Sequence, residues 1–209
     1  MATLVTVQNV FIKQALEWIE IVSSYEVANR YLIYSKNQND PGYTMLFYGK
    51  ETSTCCERNC TCESSQPMQM LIKHASKPNF DHDFTNDTFA VFNKPYTASF
   101  FCCCRPESTG HYRSIEGSRF GKLYQPYTCC NPAYQVRNNQ GHVIYTISTS
   151  CCTCGYLCGN CCGFDRVVFY IFKGTSFNLN DTQSAVGRII KHAMGWNTFI
   201  TDSDNMEID

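Results

Sequence analysis

Charge is scarce in this chain. Only 17% of its 209 residues are charged, and the formal net charge is −1. That balance excludes a global pull toward nucleic acid or anionic lipid, so any such attraction has to come from local patches. A secretory leader is not expected, because Lys13, Glu17 and Glu20 interrupt the opening "MATLVTVQNVFIKQALEWIEI". No run of about 18 apolar residues occurs, which excludes a helix that spans a bilayer. A helical period over several turns is also missing; only Thr3–Glu20 is ambiguous, and it would tolerate a helix. No Pro- or Gly-rich linker divides the chain, so residues 1–209 are expected to form one domain. His74, His82, His111, His142 and His192 are scattered, with no nucleophile partner, P-loop or carboxylate pair beside them. Conventional enzyme catalysis is therefore not expected.

What the chain does have is aromatic residues (14%) and short apolar runs, a composition that favours strands. The pattern predicts strands at Ala15–Val22, Arg30–Ser35, Thr44–Gly49, Met68–His74 and Phe89–Phe92. It predicts further strands at Lys122–Tyr124, Ala133–Arg137, His142–Ser148, Val167–Phe172 and Val186–Lys191. "NQNDPG" (Asn37–Gly42), "NNQG" (Asn138–Gly141) and "KG" (Lys173–Gly174) read as turns. Ala133–Ser148 is the clearest hairpin. Many short strands with regular turns predict a mainly β fold, an antiparallel sandwich or barrel. The acidic stretch Asn79–Asp87 reads as a solvated loop.

The chain carries 15 cysteines, an odd number that rules out complete internal pairing. Without a secretory leader they are expected to be thiols in a reducing compartment. In "CCTCGYLCGNCC", Cys151/Cys154 and Cys158/Cys161 are C-x-x-C pairs that could give one tetrahedral zinc four thiolates. Only three residues separate the pairs, shorter than the usual excursion between zinc knuckles, so zinc is not the preferred reading. An inert thiol-rich turn and a lipid-bearing loop are the alternatives. "FFCCCR" (Phe100–Arg105) suits S-acylation at Cys102, Cys103 and Cys104, because adjacent thiols flank apolar aromatics and a basic residue. One acyl chain anchors marginally and two or more anchor stably.

In this order, "YEVANRYLIYSKN" (Tyr25–Asn37), "CCERNC" (Cys55–Cys60), "PMQMLI" (Pro67–Ile72), "FFCCCRP", "VGRIIKH" (Val186–His192) and "FITDSDN" (Phe199–Asn205) resemble the phospholipid scramblase family. The resemblance runs along nearly the whole chain. It implies a tubby-like closed antiparallel β-barrel of about 12 strands around a central apolar helix. It implies calcium-activated, ATP-independent, bidirectional movement of phospholipids between leaflets, or regulation of it. It also implies covalent palmitate at Cys102–Cys104 and a place on the cytoplasmic face of the plasma membrane. Membrane phospholipids are then the partners, together with protein partners and, for the non-acylated chain in nucleus or cytosol, an import receptor. Charge does not favour nucleic acid as a partner.

Several segments depart from the family pattern. The palmitoylated run is short, and the Pro-rich N-terminal extension of many members is missing before Met1. "CCTCGYLCGNCC" is richer than its counterpart; beside the resemblance it reads as a thiol-rich connection between strands, a secondary lipidation candidate, and only then a metal site. The degenerate calcium loop reads "DSDNMEID", so Asp202, Asp204 and Asp209 are the candidate ligands, with affinity expected no better than about millimolar. Arg188, Lys191 and His192 are the candidate import residues. Because the chain stops at Asp209 before the family's apolar helix, the barrel is expected to collapse inward, to be plugged by Thr3–Glu20 or a lipid tail, or to associate. Two further readings stand beside the translocator: an acylation-controlled nuclear or cytosolic interaction module without lipid movement, and a cysteine-rich zinc-binding protein.

Overall fold

The computed structural model describes residues 7, 9–15, 28–36, 42–52, 67–75, 88–96, 107–112, 118–126, 128, 131–150, 166–192 and 205–209. Twelve strands follow one another: β1 Asn9–Ala15, β2 Arg30–Lys36, β3 Tyr43–Glu51, β4 Met68–His74, β5 Thr88–Lys94 and β6 Glu107–Tyr112. They continue as β7 Arg119–Tyr124, β8 Ala133–Asn138, β9 Val143–Ser148, β10 Arg166–Lys173, β11 Gly187–His192 and β12 Asn205–Ile208. Each strand pairs antiparallel with its sequence neighbour, and β12 returns to β1, closing the sheet into the expected barrel. Closure removes the unpaired edges that an open meander would leave. Among the described residues the one helical element is a 3-10 turn at Thr182–Ser184.

Strand period explains most of the ladder. The register Ile12↔Ile33, Ile33↔Phe47, Met70↔Phe92 and Ile189↔Ile208 lines apolar side chains up across neighbouring strands. Polar residues pair across strands as well, Arg30 with Lys50 and Gln69 with Asn93. Glycine is required where the ladder is crowded: a Cβ on Gly121 would stand 2.7 Å from the Arg137 carbonyl oxygen, and one on Gly110 would stand 2.5 Å from the Phe120 ring. Phe120 therefore lies over bare backbone and reaches Tyr112 (centroids 4.7 Å apart) and Phe92 (5.4 Å). Phe47, His74 and Phe89 extend this aromatic row. A second group forms where Phe177, from the segment after β10, meets the buried Phe172.

The β8–β9 hairpin closes as its sequence predicts. The Asn138 side-chain oxygen accepts from the backbone N–H of Gln140 (3.0 Å) and of His142 (2.9 Å), and Gly141 takes φ +87°. Three elements differ from expectation. The first strand lies at Asn9–Ala15 and shares only Ala15 with the predicted Ala15–Val22, whose other residues lie outside those described. Glu107–Tyr112 and Asn205–Ile208 are strands that periodicity misses. Tertiary pairing decides all three: β1 is held between β12 and β2, β6 between β5 and β7, β12 between β11 and β1.

Candidate functional site

The topology gives the barrel two distinct ends. All fifteen cysteines lie outside the described residues, as do Asp202, Asp204 and both tryptophans, Trp18 and Trp196. The described strand ends nonetheless fix where those segments leave and rejoin the barrel. Cysteines fall between β3 and β4, β5 and β6, β7 and β8, and β9 and β10. The pairs Met68↔Lys94, Glu107↔Tyr124, Ala133↔Ser148 and Arg166↔His192 put these junctions at one end of the barrel. Asp202 and Asp204 fall between β11 and β12, at that same end through His192↔Asn205. Trp18 falls between β1 and β2, and Trp196 between β11 and β12, also there. Alternation of up and down strands therefore makes all four cysteine-bearing connections leave and rejoin the barrel at one pole, which we term the cysteine end. The lipidation candidates Cys102, Cys103 and Cys104 and the zinc candidates Cys151, Cys154, Cys158 and Cys161 are all assigned to it by chain connectivity alone.

A cleft of about 500 Å³ opens on the rim of this end. Thr52, Gln69, Asn93, Lys94, Glu107 and Thr109 line it, with Pro67 and Pro95 at the strand ends beside it. The register makes a polar rung here, Gln69↔Asn93↔Thr109↔Lys122↔Arg137. Thr52 Oγ1 donates to Gln69 Oε1 (3.1 Å), and Gln69 Nε2 donates to Asn93 Oδ1 (2.8 Å). Glu107 pairs with Lys122 at 2.5 Å, and Arg137 stands over the Tyr124 ring at 4.2 Å.

A second polar group at this end carries a buried carboxylate. Gln14 Nε2 donates to Asn29 Oδ1 (2.6 Å), and Asn29 Nδ2 donates to Glu51 Oε2 (2.8 Å). The Asn29 backbone N–H also donates to that oxygen at 3.2 Å. Glu51 is only 4% exposed, so these bonds offset the desolvation of its charge. Gln14, Asn29 and Glu51 carry no motif in the sequence; they meet because the end of β1, the start of β2 and the end of β3 lie side by side.

The other predicted residues sit on the β11–β12 seam. Asp209 forms an ion pair with Arg188 through both carboxylate oxygens, and the two residues exchange backbone hydrogen bonds of 2.8 and 3.0 Å. The side-chain hydrogen bonding that Arg188 donates to Asp209, and then the Asp209 charge, hold the guanidinium above its ordinary pKa. His192 Nε2 lies 3.4 Å from Glu207 Oε2, an ion pair when the imidazole is protonated. Strand alternation separates Lys191 from Arg188 and His192, so the three basic residues do not share a face. Asp209 is at the far end of β12 from Asp202 and Asp204 in the chain. Among the described residues no group of three His, Cys, Asp or Glu could hold a metal ion, and no helix is long and apolar enough to cross a membrane.

The class of protein is a closed, meandering twelve-strand antiparallel β-barrel. The family model described as Scramblase matches residues 1–209, and the chain belongs to that family. It is 27% identical over 205 residues to phospholipid scramblase 1 of Homo sapiens, covering 97% of this chain and 55% of that protein. It is 27% identical over 208 residues to phospholipid scramblase 2 of Bos taurus (98% and 61%), and 27% over 205 residues to phospholipid scramblase 2 of Homo sapiens (95% and 58%). The chain thus spans little more than half the length of these relatives. No solved structure matches it.

Proposed function

We propose that this chain is a phospholipid scramblase-like protein that moves phospholipids between bilayer leaflets, or regulates that movement, with its cysteine end at the membrane. The carrying observation is the Scramblase match along residues 1–209 on a closed twelve-strand barrel. Movement down a leaflet gradient needs no catalytic constellation, only a polar path for head groups, so this is a translocator rather than an enzyme. Collection of every cysteine-bearing segment at one pole supports attachment there: acyl chains on two or three of Cys102, Cys103 and Cys104 give stable anchoring, at about 0.8 kcal/mol per buried methylene. Tryptophan suits the bilayer interface, and both tryptophans belong to segments of this end. Membrane phospholipids are the partners, on the cytoplasmic face of the plasma membrane.

Calcium activation, independence from ATP and bidirectionality are part of the proposal. Asp202 and Asp204 are the preferred calcium ligands; Asp209 is committed to Arg188, and a calcium ion would have to displace that pair. The import reading of Arg188, Lys191 and His192 is not favoured, because these residues belong to a paired barrel strand and two of them face carboxylates. Reconstitution into liposomes holding a fluorescent lipid in both leaflets tests the reading. Quencher added outside should bleach the inner-leaflet signal without ATP, and faster with calcium. Signal loss limited to the outer leaflet, equal to that of protein-free liposomes, overturns it.

A further inference from the structure

Positive charge is not spread evenly round the rim of the cysteine end. Arg166 opens β10 opposite His192, the last residue of β11; His192 stands opposite Asn205, and Asn205 opposite Lys13. Cross-strand partners share a face, and so do residues two apart on one strand, so the row continues from Lys13 through Ala15 to Arg30 and Lys50. Arg166, Lys13, Arg30 and Lys50 thus lie on one face of six neighbouring strands, β10 round to β3, an arc of about 24 Å at about 4.8 Å per strand. The opposite face carries Ile12, Ile33 and the buried Phe47, which leaves the cations on the solvent side of the sheet. Lys13 and Arg166 are exposed, and among the described residues neither forms an ion pair. The described carboxylates nearby are engaged elsewhere: Glu207 faces His192, and Glu51 is buried against Asn29. On the same face the other half of the rim carries Gln69, Asn93, Glu107 and Tyr124, and Lys122 there is paired with Glu107.

We infer that this arc is a docking surface for an anionic membrane face, which it meets by charge alone and without recognising any one head group. Cations that converge on a cleft select a small anion. These are strung along the barrel wall instead, and the described cleft lies on the other half of the rim. A string of cations suits a partner whose charge is itself spread over a surface. Position agrees: the β1–β2 and β11–β12 connections leave the rim within the arc, and the cysteine-bearing connections leave at the same pole. Each cation near an anionic surface is worth about fivefold in partition, so the arc orients an acylated chain and does not by itself hold one through washing. The sector of the rim that turns to the membrane is then β10 to β3. The membrane as partner rests on the placement proposed above; the charge of the arc does not.

Sedimentation of the purified, non-acylated full chain with vesicles at low salt tests the inference, with a chelator present so that calcium cannot bridge. Vesicles of phosphatidylcholine alone should bind little chain. Vesicles containing phosphatidylserine should bind it, and those containing an equal share of phosphatidylglycerol should bind it as well. Binding should fall as salt rises, because exposed charges are screened. Lys13→Ala and Arg166→Ala should each weaken it about fivefold, and the double variant roughly 25-fold. Lys13→Arg should bind as the unaltered chain does, and so should Arg119→Ala, which removes an exposed cation at the opposite pole. Equal binding to neutral vesicles, a preference between the two anionic lipids, or arc variants that bind no more weakly than Arg119→Ala overturns the inference. So does binding to soluble polyglutamate and not to vesicles, which would make the arc a site for an acidic protein. The dependence of the unaltered chain on lipid charge and salt decides the matter even where a variant fails to fold. Leaflet exchange by the acylated chain in wholly neutral vesicles keeps the two proposals apart: exchange there stands whatever the arc does, and charge-dependent docking without exchange sinks only translocation.

Discussion

The two ends of the barrel are built on different terms. At one end the two connections that the structure describes are closed by their own residues. The β8–β9 turn is closed by Asn138 and Gly141, and the β10–β11 segment folds back on the barrel through Phe177 against Phe172. At the other end the connections carry all fifteen cysteines and both tryptophans, and the rim beneath them holds the polar cleft and the buried Glu51. Local turn chemistry specifies the first end. The second is the end that the proposed function turns toward the membrane. A barrel made by simple alternation can keep these roles apart, because every second connection returns to the same pole.

The sharpest way to break this comparison is to remove the thiols. Replacing Cys102, Cys103 and Cys104 together with alanine should move the chain from the membrane fraction to the supernatant, since anchoring needs at least two acyl chains. Unchanged partition on fractionation would end the claim that this end anchors the chain. A substitution in the polar group around Glu51, at the same end of the barrel, should act on stability alone. Asn29→Ala strips one side-chain hydrogen bond from the buried Glu51 carboxylate and the acceptor of Gln14 Nε2, while the backbone N–H of residue 29 still donates to Glu51, and should destabilise by about 1–3 kcal/mol in urea unfolding. At the opposite end, Gly141→Ala forces a Cβ into φ +87°, at about 1–2 kcal/mol, and should leave membrane partition unchanged. The smallest effect belongs to Arg188→Gln. Its pair with Asp209 is exposed to solvent, so the unfolding midpoint should not move measurably. The raised guanidinium pKa adds stability that is complete below the unfolded value and lost only as pH rises through the folded one, far into the alkaline range.

Most of the barrel is legible in the sequence because paired strands keep a two-residue period. Met68–His74 is read with both boundaries correct, and Arg30–Ser35 falls one residue short of β2. The strands that escape are those whose pattern is not their own. β6, "ESTGHY", shows no alternation of apolar residues; it is a strand because β5 and β7 offer it ladders on both sides and because Gly110 leaves room for Phe120. β1, "NVFIKQA", packs three apolar residues in a row before Lys13 and could serve a helix as well; closure against β12 makes it a strand. β12 hides inside a stretch read as acidic ligands, and the residue that follows it, Asp209, turns out to be the partner of Arg188.

The candidate site was legible in a different way. The cysteine groups are plain in the sequence, but the pole at which their connections leave and rejoin the barrel depends on strand parity, which a missed β6 would reverse for every connection that follows. The cleft was not legible at all. Thr52, Gln69, Asn93 and Thr109 belong to four separate strand ends, and only the register brings them side by side.

The central claim, that the cysteine end meets the bilayer, is tested most directly by the native tryptophans. Trp18 and Trp196 both belong to segments of that end and are the chain's two tryptophans, so their fluorescence reports on it without labelling. The acylated chain, bound to liposomes whose lipids carry bromine near the head group, should lose most of its tryptophan emission relative to unbrominated liposomes. Full emission from chain that sediments with the brominated liposomes would show that the other end faces the membrane, and would contradict the account.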